Sequence, residues 1–488
     1  MLSRTTAAKV EKGFWNEEKE VPKKRVQSKK TFKSFLEKIK TTLVRLSPAR
    51  RIFLSFALVI FLGSLLLSLP FVQAATSQAT YFDHLFTTVS MVCVTGLFTQ
   101  PVASTYNIWG QLICMILIQI GGLGLMTFIG IFYIQGKQKL SLRGRETIQE
   151  SFSYGETQSL KDFIRSIFLT TFLVEGLGAF LLSFRFIPEF GWGRGILTSI
   201  FLAISAFCNA GFDNFGSTSL LAFQTDPLIN LVIAGLIITG GLGFMVWFDL
   251  ATQFGKKKKR RLRFHTKLVL FLTAGILLFG TVSTLLIEWN NPGTIGNLST
   301  PEKLLVSFFQ TVSMRTAGFA SIDYTQARPV TLLIYILQMF LGGAPGGTAG
   351  GLKITTFFVL LVFARSELLG LPHANVARRT IEPRTVQKSF SVFIIFLLTF
   401  LLGLILLGVT AEGNPRFIYL MFETISALAT VGVTANLTPE LGKLALSIVM
   451  LLMFIGRIGP LTLLVSLAEY KPDKKDLIHY MKADITIG

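Results

Sequence analysis

The chain has 488 residues, 51% of them hydrophobic, and carries 47 Lys and Arg against 27 Asp and Glu, a formal net charge of +20. So apolar a composition at this length excludes an ordinary soluble domain. The three cysteines, Cys93, Cys114 and Cys208, sit in apolar stretches, and the four histidines are scattered; neither a disulfide framework nor a metal-ligand spacing is indicated.

Residues 1–50 are polar and basic. They read as a cytoplasmic tail and not as a cleavable signal peptide, because the apolar stretch after them starts late and is long. Nearly uncharged windows follow, among them Phe53–Val72, Leu231–Phe248, Leu268–Ile287 and Phe393–Val409. Each is long enough to cross roughly 30 Å of hydrocarbon as a helix. Of the 47 Lys and Arg, 38 fall in residues 1–51, 136–165, 255–267, 365–388 and 471–488. Cations on tails and alternate loops place those segments, and both termini, in the cytoplasm of a multi-pass plasma-membrane protein. The run GKKKKRRLR at 255–263 is then a topological anchor beside anionic lipid, and nucleic acid is not an expected partner.

Between consecutive basic segments the layout recurs: a long apolar helix, a short loop, a segment of about a dozen residues, a glycine, a second apolar helix. A segment that short cannot cross the bilayer and reads as a re-entrant helix. The four copies are FTTVSMVCVTGL (86–97), FLAISAFCNAGF (201–212), FQTVSMRTAGF (309–319) and FETISALATVGV (422–433). Their glycines, Gly96, Gly211, Gly318 and Gly432, lie 115, 107 and 114 residues apart. An internal repeat of this length implies tandem structural units. The expected fold is an all-α integral membrane protein: four helix–re-entrant pore loop–helix repeats, eight spans, pseudo-fourfold about one pore in a cation-channel-like arrangement. The expected limits are a tail 1–50, repeats 51–135, 136–254, 255–366 and 367–470, and a tail 471–488.

Irregular backbone at membrane depth is tolerated only when buried in protein or lining a wet cavity. Four such segments, one per repeat, are best placed together around one axis, where backbone carbonyls can replace the hydration shell of a monovalent cation. Glycine permits the torsions and keeps Cβ out of the crowded centre. The expected filter is Val94, Thr95 and Gly96; Asn209, Ala210 and Gly211; Thr316, Ala317 and Gly318; and Thr430, Val431 and Gly432. Thr95, Asn209, Thr316 and Thr430 are expected to hold the strands by hydrogen bonds. The negative ends of the re-entrant helices would add to cation binding.

The second helices carry glycine clusters at 121–126, 240–245, 342–351 and 455–462. The first two read as packing devices. The third, GGAPGGTAGG, cannot continue a helix and breaks its span. Arg457 and Lys353 are charges in apolar surroundings, where charge usually serves function. Arg315, just before the third filter, is expected to brace it through backbone bonds. Glu175 reads as a buried acid with a structural partner. Asp213 and Asp323 read either as acids at the outer mouth or as two solvated loop acids.

These motifs resemble the superfamily of K+ transporters that includes the Trk, Ktr and plant HKT proteins. The resemblance rests on VCVTGL, SAFCNAGF, SMRTAGF, ALATVGV, GGAPGGTAGGLK and GRIGPLT, covers about residues 50–470, and is nearest to the membrane subunit of a Ktr system. It implies that the four glycines are filter glycines and, with glycine in all four repeats, that the cargo is K+. It implies an intramembrane gate formed by Gly342, Gly343, Ala344, Pro345, Gly346, Gly347, Thr348, Ala349, Gly350 and Gly351, with Arg457 close by. It implies a homodimer with one pore per subunit and a cytosolic ring that binds ATP or ADP and NAD(H). Uptake in the family is often Na+-dependent. The alternatives are an alternating-access monovalent cation carrier, whose repeats would be inverted, and a Na+-permeable relative. No HExxH, GxSxG or paired intramembrane Asp suggests an enzyme.

Overall fold

The computed structural model describes residues 48–124, 160–251 and 262–460. Both tails, most of the basic clusters and the chain beyond 460 lie outside the described residues.

In the first repeat, α1 (Pro48–Leu67) stops before Pro70, whose ring cannot continue it. The re-entrant helix α2 (Tyr81–Cys93) starts at a capping box between Thr80 and Asp83. Helix α3 (Ile108–Leu123) is capped by the Asn107 side chain, which accepts from the Gly110 N–H. The second repeat opens with α4 (Leu160–Cys208), a 49-residue element whose helical path breaks at Gly191, φ 77°, three residues after Pro188. The break separates the arm before Gly191 from the arm that carries the second repeat motif. The arms touch at Gly195, where a Cβ would stand 2.6 Å from the Phe186 carbonyl oxygen.

Helix α5 (Pro227–Gly241) begins with Asp226 accepting two backbone N–H bonds, and α6 (Phe244–Ala251) follows at 93° to it. This corrects the expectation of a straight span over Leu231–Phe248. Gly243 turns the chain with φ 88°, and the Phe244 N–H donates to the Gly346 carbonyl at 3.0 Å. The glycine-rich loop of the third repeat therefore occupies the path a straight helix would take.

The third repeat comprises α7 (Phe264–Glu288), α8 (Thr300–Ser313), α9 (Pro329–Phe340) and α10 (Ile354–Leu368). Its second span is interrupted between α9 and α10, as the glycine content requires. A two-residue hairpin, β1 (Asn375–Val376) with β2 (Arg379–Thr380), leads into α11 (Pro383–Thr410), α12 (Phe417–Leu428) and α13 (Lys443–Ile458).

Among the described residues, α1, α4, α7 and α11 are long and apolar enough to cross a membrane, and the bent pair α5–α6 would make a fifth. Their outward faces are greasy: Phe271 and Leu286 on α7 are 75% and 70% exposed. The re-entrant helices are the reverse. The phenylalanine that opens each repeat motif, Phe86, Phe201, Phe309 or Phe422, is fully buried. The core thus surrounds the four short helices, and the long helices face outward to lipid.

Candidate functional site: a ring of four glycines

The four motif glycines are neighbours in cyclic order. A Cβ on Gly96 would lie 2.8 Å from the Ala210 carbonyl oxygen, one on Gly211 would lie 2.8 Å from that of Ala317, and one on Gly318 would lie 2.6 Å from that of Val431. A Cβ on Gly432 would run into the Thr95 carbonyl and so closes the ring. In each case the obstacle is the backbone oxygen just before the next glycine, so nothing flexible can yield. All four glycines have positive φ, between 69° and 106°, which other residues resist.

The same torsion recurs two positions earlier, at Val94, Asn209, Thr316 and Thr430, with φ between 52° and 67°. Three of these are β-branched, for which left-handed backbone is strained by about 1–3 kcal/mol. Four residues in register with this torsion show that the surrounding packing dictates the path of these strands.

Serine supplies part of that packing. Ser90 Oγ accepts from the Gly96 N–H and Ser426 Oγ from the Gly432 N–H, both at 3.1 Å. Ser205 Oγ accepts from the Phe212 N–H at 2.9 Å. In the third repeat, where the glycine follows its serine by five residues and not six, Ser313 Oγ donates to the Phe319 carbonyl at 2.5 Å. The serine was visible in the repeat, yet its task was not; its constancy at a buried helix end was the available signal. The variable second motif residue was missed altogether. Gln310 Nε2 donates to Ser321 Oγ at 2.7 Å, and Glu423 accepts from Thr434 at 2.6 Å and from Thr438. Both hold the segment that follows the motif glycine.

The threonines behave differently from expectation. Thr95 and Thr430 hydroxyls are buried without a partner, whereas Thr316 Oγ1 accepts from the Gly350 N–H at 3.2 Å. Asn209, with its amide turned to suit its neighbours, donates to the Ala206 and Ile237 carbonyls. Among the described residues the Arg315 guanidinium makes no bond to a backbone carbonyl; it turns away to Thr273 Oγ1 at 3.5 Å. Glu175 does have a structural partner, Gln119 Nε2, at 3.0 Å.

Directly against the ring lies the loop 342–351. The Ala344 and Thr348 N–H groups donate to the Gly241 and Gly240 carbonyls at 3.0 and 3.2 Å. Thr348 Oγ1 donates to the Phe207 carbonyl at 3.1 Å, at the end of the second re-entrant helix. A Cβ on Gly350 would collide with Thr430. Lys353 Nζ donates back to the Ala349 carbonyl at 2.6 Å. Arg457 on α13 ties the loop down: Nη1 donates to the Thr348 carbonyl at 2.6 Å, and Nη2 to the carbonyls of Gly121 and, at 3.1 Å, Gly122. One guanidinium on the fourth repeat thereby joins the first repeat to the loop of the third.

The glycines of the other second helices are packing devices. Cβ atoms on Gly121, Gly240 and Gly456 would strike the carbonyls of Val92, Phe207 and Leu428. Each of those carbonyls lies four residues before a motif glycine.

At the N-terminal ends of α2 and α8 the capping carboxylates are held below their ordinary pKa. Burial pushes the Asp83 carboxyl up, but hydrogen bonds from Thr80 and Thr99 outweigh it. The Ser299 side chain, then its backbone N–H, lowers Glu302.

The model of the TrkH family, described as a cation transport protein, matches residues 51–476. The chain belongs to this family. It is 39% identical over 446 residues to the Ktr system potassium uptake protein B of Bacillus subtilis, covering 91% of this chain and 98% of that one. It is 39% identical over 447 residues to the potassium/sodium uptake protein NtpJ of Enterococcus hirae, again covering 91% and 98%. The solved potassium transporter TrkH of Vibrio parahaemolyticus has the same fold, with a TM-score of 0.68 at 17% identity over 86% of this chain and 84% of that one. These relatives are membrane transporters of cations, not enzymes.

Proposed function

We propose that the glycine ring is a selectivity filter and that the chain takes up K+ through a channel-like pore. The observation that carries this reading is the closed cycle in which each glycine abuts the carbonyl preceding the next. Left-handed residues at two positions per strand let successive carbonyls turn to the axis. There they would replace water around a cation, with the negative ends of four re-entrant helices adding to its binding. The eight spans would stand pseudo-fourfold about this axis, with both termini in the cytoplasm.

In this reading the loop 342–351 is the gate below the filter, and Arg457 with Lys353 holds it shut. A homodimer, a cytosolic nucleotide-binding subunit that releases the loop, and Na+-dependent uptake complete the proposal. A multi-component assembly is supported by the naming of relatives as parts of a Ktr system. Cargo that includes Na+ is a second reading, supported by the relative named for potassium and sodium uptake.

Rubidium uptake into liposomes carrying the purified protein tests this. Uptake that K+ competes out, and Na+ does not, is the expected result. Folded protein that admits no rubidium overturns the pore reading, and equal competition by Na+ favours the second.

A further inference from the structure

Fourteen buried side-chain polar atoms among the described residues have no hydrogen-bond partner, and seven of them belong to the third repeat. They belong to Thr281 and Thr284 on α7, Ser307 on α8, Arg315 just past its end, and Tyr335 and Gln338 on α9. All six side chains are at least nine-tenths buried. Helical spacing puts them on facing stripes. Ser307, Thr311 and Arg315 follow each other at four-residue steps; Tyr335 and Gln338 are three apart; Thr281 and Thr284 likewise. The three stripes meet. A Cβ on Gly280 would strike both the Gln338 amide and the Thr311 methyl, and the Tyr335 and Thr284 hydroxyls face each other without closing a bond of good geometry.

The wedge between these helices has a charge at each end. Glu288 closes the outer end, fully buried, and its oxygens are already taken by Asn291, Thr294, Thr331 and the Arg328 N–H. Arg315 closes the inner end; among the described residues its guanidinium meets Thr273 Oγ1 at 3.5 Å and its Nε has no partner. From Thr273 to Glu288 the α7 axis rises about 22 Å. Among the described residues no carboxylate along that length is free to answer the guanidinium. The orphaned atoms include donors only (Arg315 Nε, Gln338 Nε2), an acceptor only (Gln338 Oε1) and hydroxyls that can be either. An anion could serve the donors but not the amide oxygen. Water serves all of them, and buried polar groups of native proteins are met in this way.

We propose that this wedge binds a short file of internal water molecules behind the third filter strand, the innermost on Arg315. The file hydrates a buried guanidinium whose backbone leads straight into Thr316, and so positions that strand. It stands whether or not the ring passes K+.

Radiolytic hydroxyl footprinting of the full-length protein in lipid nanodiscs, in 18O-labelled water, tests this, because bound waters label the side chains beside them. Tyr335 should take up the label despite its burial, while Phe86, equally buried in the first repeat, stays unmodified. The double variant Thr281→Val, Thr284→Val keeps shape and removes two hydroxyls. It should lose Tyr335 labelling and melt lower, by roughly 2 °C or more. An unlabelled Tyr335 in the wild-type protein overturns the proposal. So does a double variant that melts higher, since removing dry, unpaired hydroxyls stabilises. Bromide density on Arg315 in a crystal soak would put an anion there instead and overturn it too.

Discussion

Gly432 of the fourth repeat lies against the Thr95 carbonyl of the first and closes a cycle that runs through Gly211 and Gly318. A side chain at Gly432 would meet fixed backbone, on a residue whose φ of 93° already disfavours one. Gly432→Ala should therefore displace the Thr95 strand, at a strain of about 1–3 kcal/mol. We expect K+ uptake in K+-deficient cells to fall at least about tenfold, or K+/Na+ discrimination to collapse, at normal expression.

The serine pins offer a milder test of the same strands. In Ser426→Ala the buried Gly432 N–H loses its acceptor, at a cost of about 1–3 kcal/mol. Rubidium flux with Na+ competition should show weaker discrimination in this variant. Ser426→Thr keeps the oxygen and should retain most of it.

Arg457 is expected to act on the gate and not on the filter. Arg457→Gln removes charge-assisted bonds to the Thr348, Gly121 and Gly122 carbonyls. One such bond is worth about 1.5–3 kcal/mol, roughly tenfold or more in the open population. Flux through liposomes without any cytosolic partner should rise by that order, with ion preference unchanged. Unchanged flux at normal folding contradicts the tether.

The capping carboxylates predict a pH dependence. The folded pKa of Asp83 and of Glu302 is lowered. Their contribution is therefore full above the unfolded carboxylate range, near about pH 4, and is lost as pH falls through the lowered folded values. The gap in melting temperature between wild type and Asp83→Asn should be widest at neutral pH and vanish in acid. A gap that widens in acid would reverse the sign of the linkage.

The repeat was legible because phenylalanine and serine recur four residues apart, with a glycine five or six residues further on. The break at 342–351 was legible from its glycine and proline content. The bend at Gly243 was not: GGLGFM resembles GGLGLM, and what turns the second repeat's helix is the loop from the third. Long-range contact also decided Arg315. Its position beside Thr316 suggested a bond to the filter, but the side chain turns back towards α7. Arg457 could be singled out as a charge in an apolar helix, while its three carbonyl partners, on two other repeats, could be found only in three dimensions.

The most direct measurement is a cryo-EM or anomalous diffraction map of the protein in K+ or its heavier analogue thallium. Density on the axis ringed by Gly96, Gly211, Gly318 and Gly432, weakened when Na+ replaces K+, is the predicted result. Four strands packed with no ion between them, or ion density only elsewhere in the molecule, would contradict it.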